Sequence, residues 1–426
     1  MNIETHSAVH DQISVLSIAE SFYDSSVATA LKELGILERL GHGEKSLEEL
    51  AAEVGARNET LARLLNTGVA LNLLASKDGG KYRKGSVNGS GPLPSVGVDY
   101  PIAEGFYRSS VIFALLKLRV FERIGEGDGK TLKELAAEVS ARPDALSRLL
   151  DAGVLLKLLE TDNKATYRVA PMCRSVLLPS AGDNYLGDWI RNLDFFRQAL
   201  SKLAESVVQS SPHMNLSEYL KTDKDGGRDF ELAMQNYAAL RGKELVRHLD
   251  TSKCESLLDL GAGPGVYAFQ LGLHNPKLKL FLQDMPEVLA VAKEVQKKYP
   301  LKNEVQYLPY DAVSGEVPGS YDMVLVSNML HMVGEQASRA LLKKLYKNVN
   351  PGGSVVVQAQ FLRDDHKGGR WPAVMDLILL CTTPSGRNHS VAEARTWMEE
   401  AGFTNIEYRP MGLANTNSLL RGYKAA

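Results

Sequence analysis

The chain has little cysteine, few aromatic residues and no excess of either charge, and each shortage closes off a class of protein. Among 426 residues there are three cysteines, Cys173, Cys254 and Cys381. They are scattered, odd in number and without metal-ligand spacing, which argues for buried reduced thiols and against a disulfide framework or a thiolate metal site. Lys and Arg (49) nearly balance Asp and Glu (51), a formal net charge of −2, so nothing electrostatic favours nucleic acid or an anionic membrane. No apolar run approaches spanning length, and the first dozen residues carry no basic-then-apolar leader. We therefore expect a cytoplasmic protein with no nucleic-acid partner, no membrane and no metal.

What the chain does have is a tandem duplication. Tyr23-Asp-Ser-Ser-Val-Ala-Thr-Ala-Leu31 returns as Tyr107-Arg-Ser-Ser-Val-Ile-Phe-Ala-Leu115, an offset of 84. Leu47-Glu-Glu-Leu-Ala-Ala-Glu-Val54 returns as Leu132-Lys-Glu-Leu-Ala-Ala-Glu-Val139 after one extra residue. Two copies are too few for a solenoid. Each copy reads as three helices and a hairpin, a winged-helix-like unit. Ser46 with Glu49, and Thr131 with Glu134, have capping-box spacing, and Asp78-Gly79 is a hairpin turn signal. The third helix offers Glu59, Arg63 and Asn66 in one copy and Asp144, Arg148 and Asp151 in the other. That mixed charge gives no basic stripe for phosphates, so packing and dimerisation are expected in place of DNA binding.

Gly85 to Pro94 is rich in breakers and reads as the linker between copies, and Pro179 to Gly187 is a second joint. The expected divisions are residues 1–98 for the first unit with its linker, 99–180 for the second, 181–250 for a helical connector and 251–426 for a catalytic half. The connector holds Trp189, Phe195, Phe196, Met234 and Tyr237, mostly core, with one or two facing a ligand.

From Lys253 onward, strands alternate with helical patterns. Strands are expected at 256–260, 278–283, 305–308, 323–327 and 354–360, and helices at 266–274, 286–298, 336–348 and 391–401. Such alternation implies an α/β, doubly wound parallel sheet with ligands over the strands' carboxyl ends. The first strand feeds Asp259-Leu-Gly-Ala-Gly-Pro-Gly265, in which glycines at alternate positions let backbone approach a ligand closely. Asp259 can face that ligand from the strand end. The spacing differs from Gly-x-Gly-x-x-Gly, and no Lys-Ser/Thr follows as a phosphate-binding loop requires. The next strand ends in Asp284, about 20 residues on, where a carboxylate can accept from ribose hydroxyls. Asp311 and Ser327-Asn328 fall on the same edge.

Asp259-Leu-Gly-Ala-Gly-Pro-Gly265, Asp284-Met-Pro-Glu-Val288, Asp311 and Ser327-Asn-Met-Leu-His331 together resemble the successive motifs of class I S-adenosylmethionine-dependent methyltransferases, a Rossmann-like fold. Phe230-Glu-Leu-Ala-Met234, Met375-Asp-Leu377 and Ala401-Gly-Phe403 are similar to the plant and polyketide small-molecule O-methyltransferases in particular. That family has one winged-helix dimerisation unit, so the resemblance covers roughly residues 100–426 and the first copy is an addition. The resemblance implies a homodimer through the N-terminal helical part, S-adenosylmethionine as cofactor and a small-molecule acceptor. It places Gly261 and Gly263 at the methionine portion, Asp284 at the ribose, Asp311 and Ala312 at the adenine, and Ser327 in contact with the cofactor. His331 matches the family's general base, and a neutral imidazole titrating near physiological pH suits that task. Met234, Tyr237, Met375 and Arg387 would border the acceptor, with Arg370 and His389 near Arg387. The two glutamates that orient histidine and substrate in plant members are here Ala359 and Asn388, and the Asp-Trp after the histidine is Met332-Val333. An S-, N- or C-acceptor, a non-methylating reaction or a regulator of the same fold stay open, as does a dehydrogenase for any strand-glycine-helix unit.

Overall fold

The computed structural model describes residues 3–77, 80–85, 102, 105–162, 166–364, 369–412 and 417–426. The Asp78-Gly79 turn and the linker beyond Gly85 lie outside them. Helix α1 (Ile3–Ala19) precedes the first repeat: α2 (Phe22–Glu33), α3 (Ile36–Leu40), β1 (Lys45–Ser46), α4 (Leu47–Val54), α5 (Asn58–Ala70), β2 (Leu74–Lys77) and β3 (Lys81–Lys84). The second repeat has the same order: α6 (Gly105–Lys117), α7 (Val120–Ile124), β4 (Lys130–Thr131), α8 (Leu132–Glu138), α9 (Pro143–Leu155), β5 (Leu159–Thr161) and β6 (Thr166–Val169). In both, the short strand before the capped helix joins the hairpin to make a three-stranded wing.

The duplication extends to individual contacts. Ser46 and Thr131 cap α4 and α8 in complete capping boxes with Glu49 and Glu134. A Cβ on Gly68 would meet Leu74 and Leu31, and one on Gly153 would meet their equivalents, Leu159 and Leu115. The Tyr82 hydroxyl donates to Asn66 at 2.8 Å, and the Tyr167 hydroxyl to Asp151 at 2.9 Å. Asn66 and Asp151 therefore close hydrogen bonds within their own units.

The connector comprises α10 (Pro171–Leu177), α11 (Gly187–Leu200), α12 (Leu203–Gln209), α13 (Leu216–Thr222) and the long α14 (Lys224–His248). One continuous apolar core joins both repeats, α10 to α12 and part of the catalytic half.

The catalytic half runs β7 (Ser256–Leu260), α15 (Val266–His274), β8 (Lys279–Asp284), α16 (Pro286–Gln296), β9 (Val305–Pro309), β10 (Tyr321–Ser327), α17 (Leu330–Asn348), β11 (Val349–Ala359), α18 (Arg370–Thr382), α19 (Val391–Ala401), β12 (Thr404–Pro410) and β13 (Ser418–Tyr423). Its seven strands are ordered β12-β13-β11-β10-β7-β8-β9. Alternate residues serve opposite faces: Leu257, Leu280 and Met323 pack under α14, α15 and α16, whereas Leu258, Val324 and Val355 pack under α17 and α19. The sheet is thus doubly wound, as expected. It is mixed, because β13 runs antiparallel to β11 and β12. The helix expected at 336–348 begins at Leu330, with a break at Gly334 (φ 77°). β7 has β8 on one side and β10 on the other, so the order reverses there, the point above whose carboxyl ends such sheets bind ligands.

Candidate active site

The glycine turn after β7 is held by the end of β8. The Gly261 and Ala262 amides donate to the Gln283 carbonyl at 3.0 Å, and the Gly263 amide donates to Asp284 Oδ2 at 2.8 Å. Gly261, Gly263 and Gly265 all have positive φ, between 54° and 77°. At Gly265 a Cβ would lie 2.6 Å from Leu282 and 2.7 Å from Phe269, so only glycine fits.

Three carboxyl groups meet around this turn. Asp259 is buried and neither of its oxygens has a hydrogen-bond partner among the described residues. Burial, reinforced by the Asp284 charge, raises its pKa to about 7; the Ala268 amide opposes the shift without reaching hydrogen-bond geometry. Glu231, buried on α14, is raised to about 8 by burial and then by Asp284. Its Oε2 has no partner among the described residues and stands 3.4 Å from where a Gly263 Cβ would be. Asp284 is also raised by burial, although the Gly263 and Met285 amides oppose the shift. Among the described residues no group of His, Cys, Asp and Glu is arranged to hold a metal ion. Buried acids without partners are costly and suit an organic cation. S-adenosylmethionine carries a sulfonium and an ammonium beside a ribose diol, so these side chains fit it. Glu231 was not singled out in the sequence. The available signal was an acid inside the apolar Phe230–Met234 segment of a long helix.

Asp311 lies on the same edge, past β9, but its carboxylate is already engaged by its own turn: Oδ1 accepts from the Val313 amide and Oδ2 from the Ser314 hydroxyl. Ala312 beside it is buried. Ser327 ends β10 and its hydroxyl accepts from Asn328 Nδ2 at 3.2 Å. Asn328 is left-handed (φ 51°), a conformation that turns the chain sharply into α17.

His331 is in the first turn of α17, buried, with Nδ1 unpartnered among the described residues. Burial, and secondarily His389, pushes its pKa down to about 3. Titration near neutrality was expected. The structure corrects that: imidazolium in this setting lacks a counter-charge, so the ring is neutral and only weakly basic. The absence of an orienting carboxylate is also structural. Asn388 spends its amide on Asp376 and its side chain on the Pro372 carbonyl.

Of the residues expected to border the acceptor, Met234, Tyr237 and Met375 are partly buried against the N-terminal core. The Tyr237 hydroxyl accepts from Gln360 Nε2 at 3.1 Å, its ring packs on Trp189 (4.8 Å), and the Arg241 guanidinium lies 3.6 Å over it. Arg387 is engaged within the protein: its guanidinium is held by Glu335 at 2.8 Å and Glu393 at 2.9 Å. Arg370 pairs with Asp24, and His389 packs on Trp397 and the Leu330 carbonyl.

The chain matches the family model of an O-methyltransferase domain over residues 185–404. The model of an O-methyltransferase dimerisation domain matches twice, over 16–88 and 100–179. The tetracenomycin polyketide synthesis 8-O-methyl transferase of Streptomyces glaucescens is 26% identical over 323 residues, 75% of this chain and 94% of that one. Acetylserotonin O-methyltransferase of Macaca mulatta is 26% identical over 332 residues, 74% and 95% of the two chains. The crystal structure of human N-acetylserotonin methyltransferase in complex with SAM superposes with a TM-score of 0.69 at 23% identity, covering 76% of this chain and 96% of that one. No helix among the described residues is long and apolar enough to cross a membrane.

Proposed function

The chain belongs to the O-methyltransferase family and uses S-adenosylmethionine, and on that premise we propose that it methylates an acidic hydroxyl, phenolic or enolic, of a small molecule. The cofactor supplies an electrophilic methyl on sulfur. Asp259, Glu231 and Asp284 bind its cationic and ribose portions at the glycine turn. His331 takes the acceptor's proton as the new oxygen–methyl bond forms and the sulfur–methyl bond breaks, its electron pair staying on sulfur. The observation that carries this reading is the buried His331 at the start of α17, which follows β10, the strand beside β7 and its Asp259. Burial keeps the His331 ring neutral and makes it a weak base, and such a base is better matched to a phenol or enol than to an alkyl alcohol. The S. glaucescens relative, named for a polyketide 8-O-methylation, is consistent with such an acceptor.

The test is to incubate the protein with methyl-labelled S-adenosylmethionine and a panel of phenols, enols, alcohols, thiols and amines. Label should appear on phenolic or enolic oxygen, and calorimetry should show cofactor binding that Asp284→Ala weakens by roughly 10- to 100-fold. Label on an alcohol, sulfur or nitrogen in preference would overturn the acceptor class.

A further inference from the structure

We propose that the first repeat stands in for a second subunit, pairing with the second repeat inside one chain and closing the acceptor side of that chain's own active site. The relatives cover about three-quarters of this chain while being matched over nearly their whole length, so it carries one unit more than they do. That extra unit is a second copy of a domain described by its role in dimerisation.

The two copies meet through equivalent helices, α2 and α6. Ser21 Oγ lies 3.0 Å from Ser109 Oγ and donates to the Gly105 carbonyl at 2.7 Å, and the Phe22 amide donates to Ser109 Oγ. With the offset of 84, Gly105 is the counterpart of Ser21 and Ser109 that of Ser25. Ser21 meets Ser109, and reciprocally Gly105 is so close to Ser25 that a Cβ would stand 2.6 Å from its hydroxyl. Such exchange of partners is the signature of a two-fold, isologous contact, normally made between two chains.

The pair is nevertheless asymmetric toward the catalytic half. Phe22 and Tyr23 are 0% and 2% exposed, whereas their counterparts Phe106 and Tyr107 are 42% and 61% exposed. Tyr23 is covered by Trp371 of α18 (5.5 Å, edge to face), and Asp24 pairs with Arg370 at 2.8 Å. On α5, Arg63 makes an ion pair with Asp376 at 3.1 Å and donates to the Gly386 carbonyl, and Thr67 donates to the Ala373 carbonyl. Gly386 lies against the first turn of α17, which carries His331: its Cβ would be 2.7 Å from the His331 carbonyl. Of the two copies, the first is thus the one that packs on the chain's own catalytic half, over α18 and Gly386, while the equivalent aromatic residues of the second stay exposed. The statement about the active site rests on the function proposed above, and the pairing does not.

Full-length chains decide it. Ser21→Cys and Ser109→Cys are placed together in one chain, and singly in two differently tagged chains that are co-expressed. After mild oxidation, bridges are read by non-reducing electrophoresis and peptide mass spectrometry. The expected result is an intrachain bridge in the double variant and no bridge between co-expressed single variants. An interchain bridge between the single variants would overturn the proposal. So would a double variant that is folded by circular dichroism yet forms no intrachain bridge. Because no activity is read, this outcome is separable from the label-transfer test.

Discussion

His331 is asked to be both a buried residue and a base, and the two roles pull in opposite directions. Its pKa in the folded protein, about 3, is below the ordinary histidine value of 6.5. As pH falls through 6.5 the unfolded chain takes up a proton that the folded chain refuses, so stability is lost progressively from about pH 6.5 towards pH 3. Urea midpoints measured at pH 7 and pH 4 should therefore fall less for His331→Gln than for wild type. An equal fall in both would mean that His331 titrates normally in the folded state.

At the scale of elements, the ends of β7 and β8 and the middle of α14 create a site whose ionisation should change with occupancy. Asp259 at about 7 and Glu231 at about 8 are partly protonated in the free protein at neutral pH. A bound cation favours the carboxylates, so binding should release protons and tighten as pH rises from about 6 to about 8. Calorimetry of S-adenosylmethionine binding in buffers of different ionisation enthalpy measures the release directly, and a buffer-independent heat would refute it. The glycine turn and the place of Asp284 at the end of β8 were legible because a positive-φ turn and a strand-end acid leave a local pattern. Glu231 was hidden because its role comes from α14 crossing the turn, a contact between distant segments. β12 and β13 were missed for a related reason. β12 is largely exposed and polar, without clean alternation, and is recruited by pairing with β13. Helices 266–274 and 391–401 were read to the residue: Gly265 precedes the first, and a Ser390–Glu393 capping box and Gly402 bound the second. The ion pairs of Arg387 were not legible because its partners Glu335 and Glu393 come from two different helices.

At the scale of the molecule, the duplicated N-terminal part and the catalytic half form one packed body, and Arg63 is a main tie between them. Both Arg63 and Asp376 are about one-tenth exposed, so Arg63→Ala leaves a nearly buried carboxylate without its ion pair. The expected loss is about 3 kcal/mol of unfolding free energy, read from denaturant midpoints, and a change within error would show that the tie is dispensable. The account as a whole stands or falls on whether His331, in the first turn of α17, moves the acceptor's proton. The direct measurement is single-turnover transfer of labelled methyl to the best phenolic or enolic acceptor, wild type beside His331→Ala, with cofactor affinity determined for both. Transfer should slow by about 10²–10⁴-fold, nearer the lower figure because no carboxylate orients the ring, while cofactor affinity is unchanged. Transfer at the wild-type rate by His331→Ala would contradict the account.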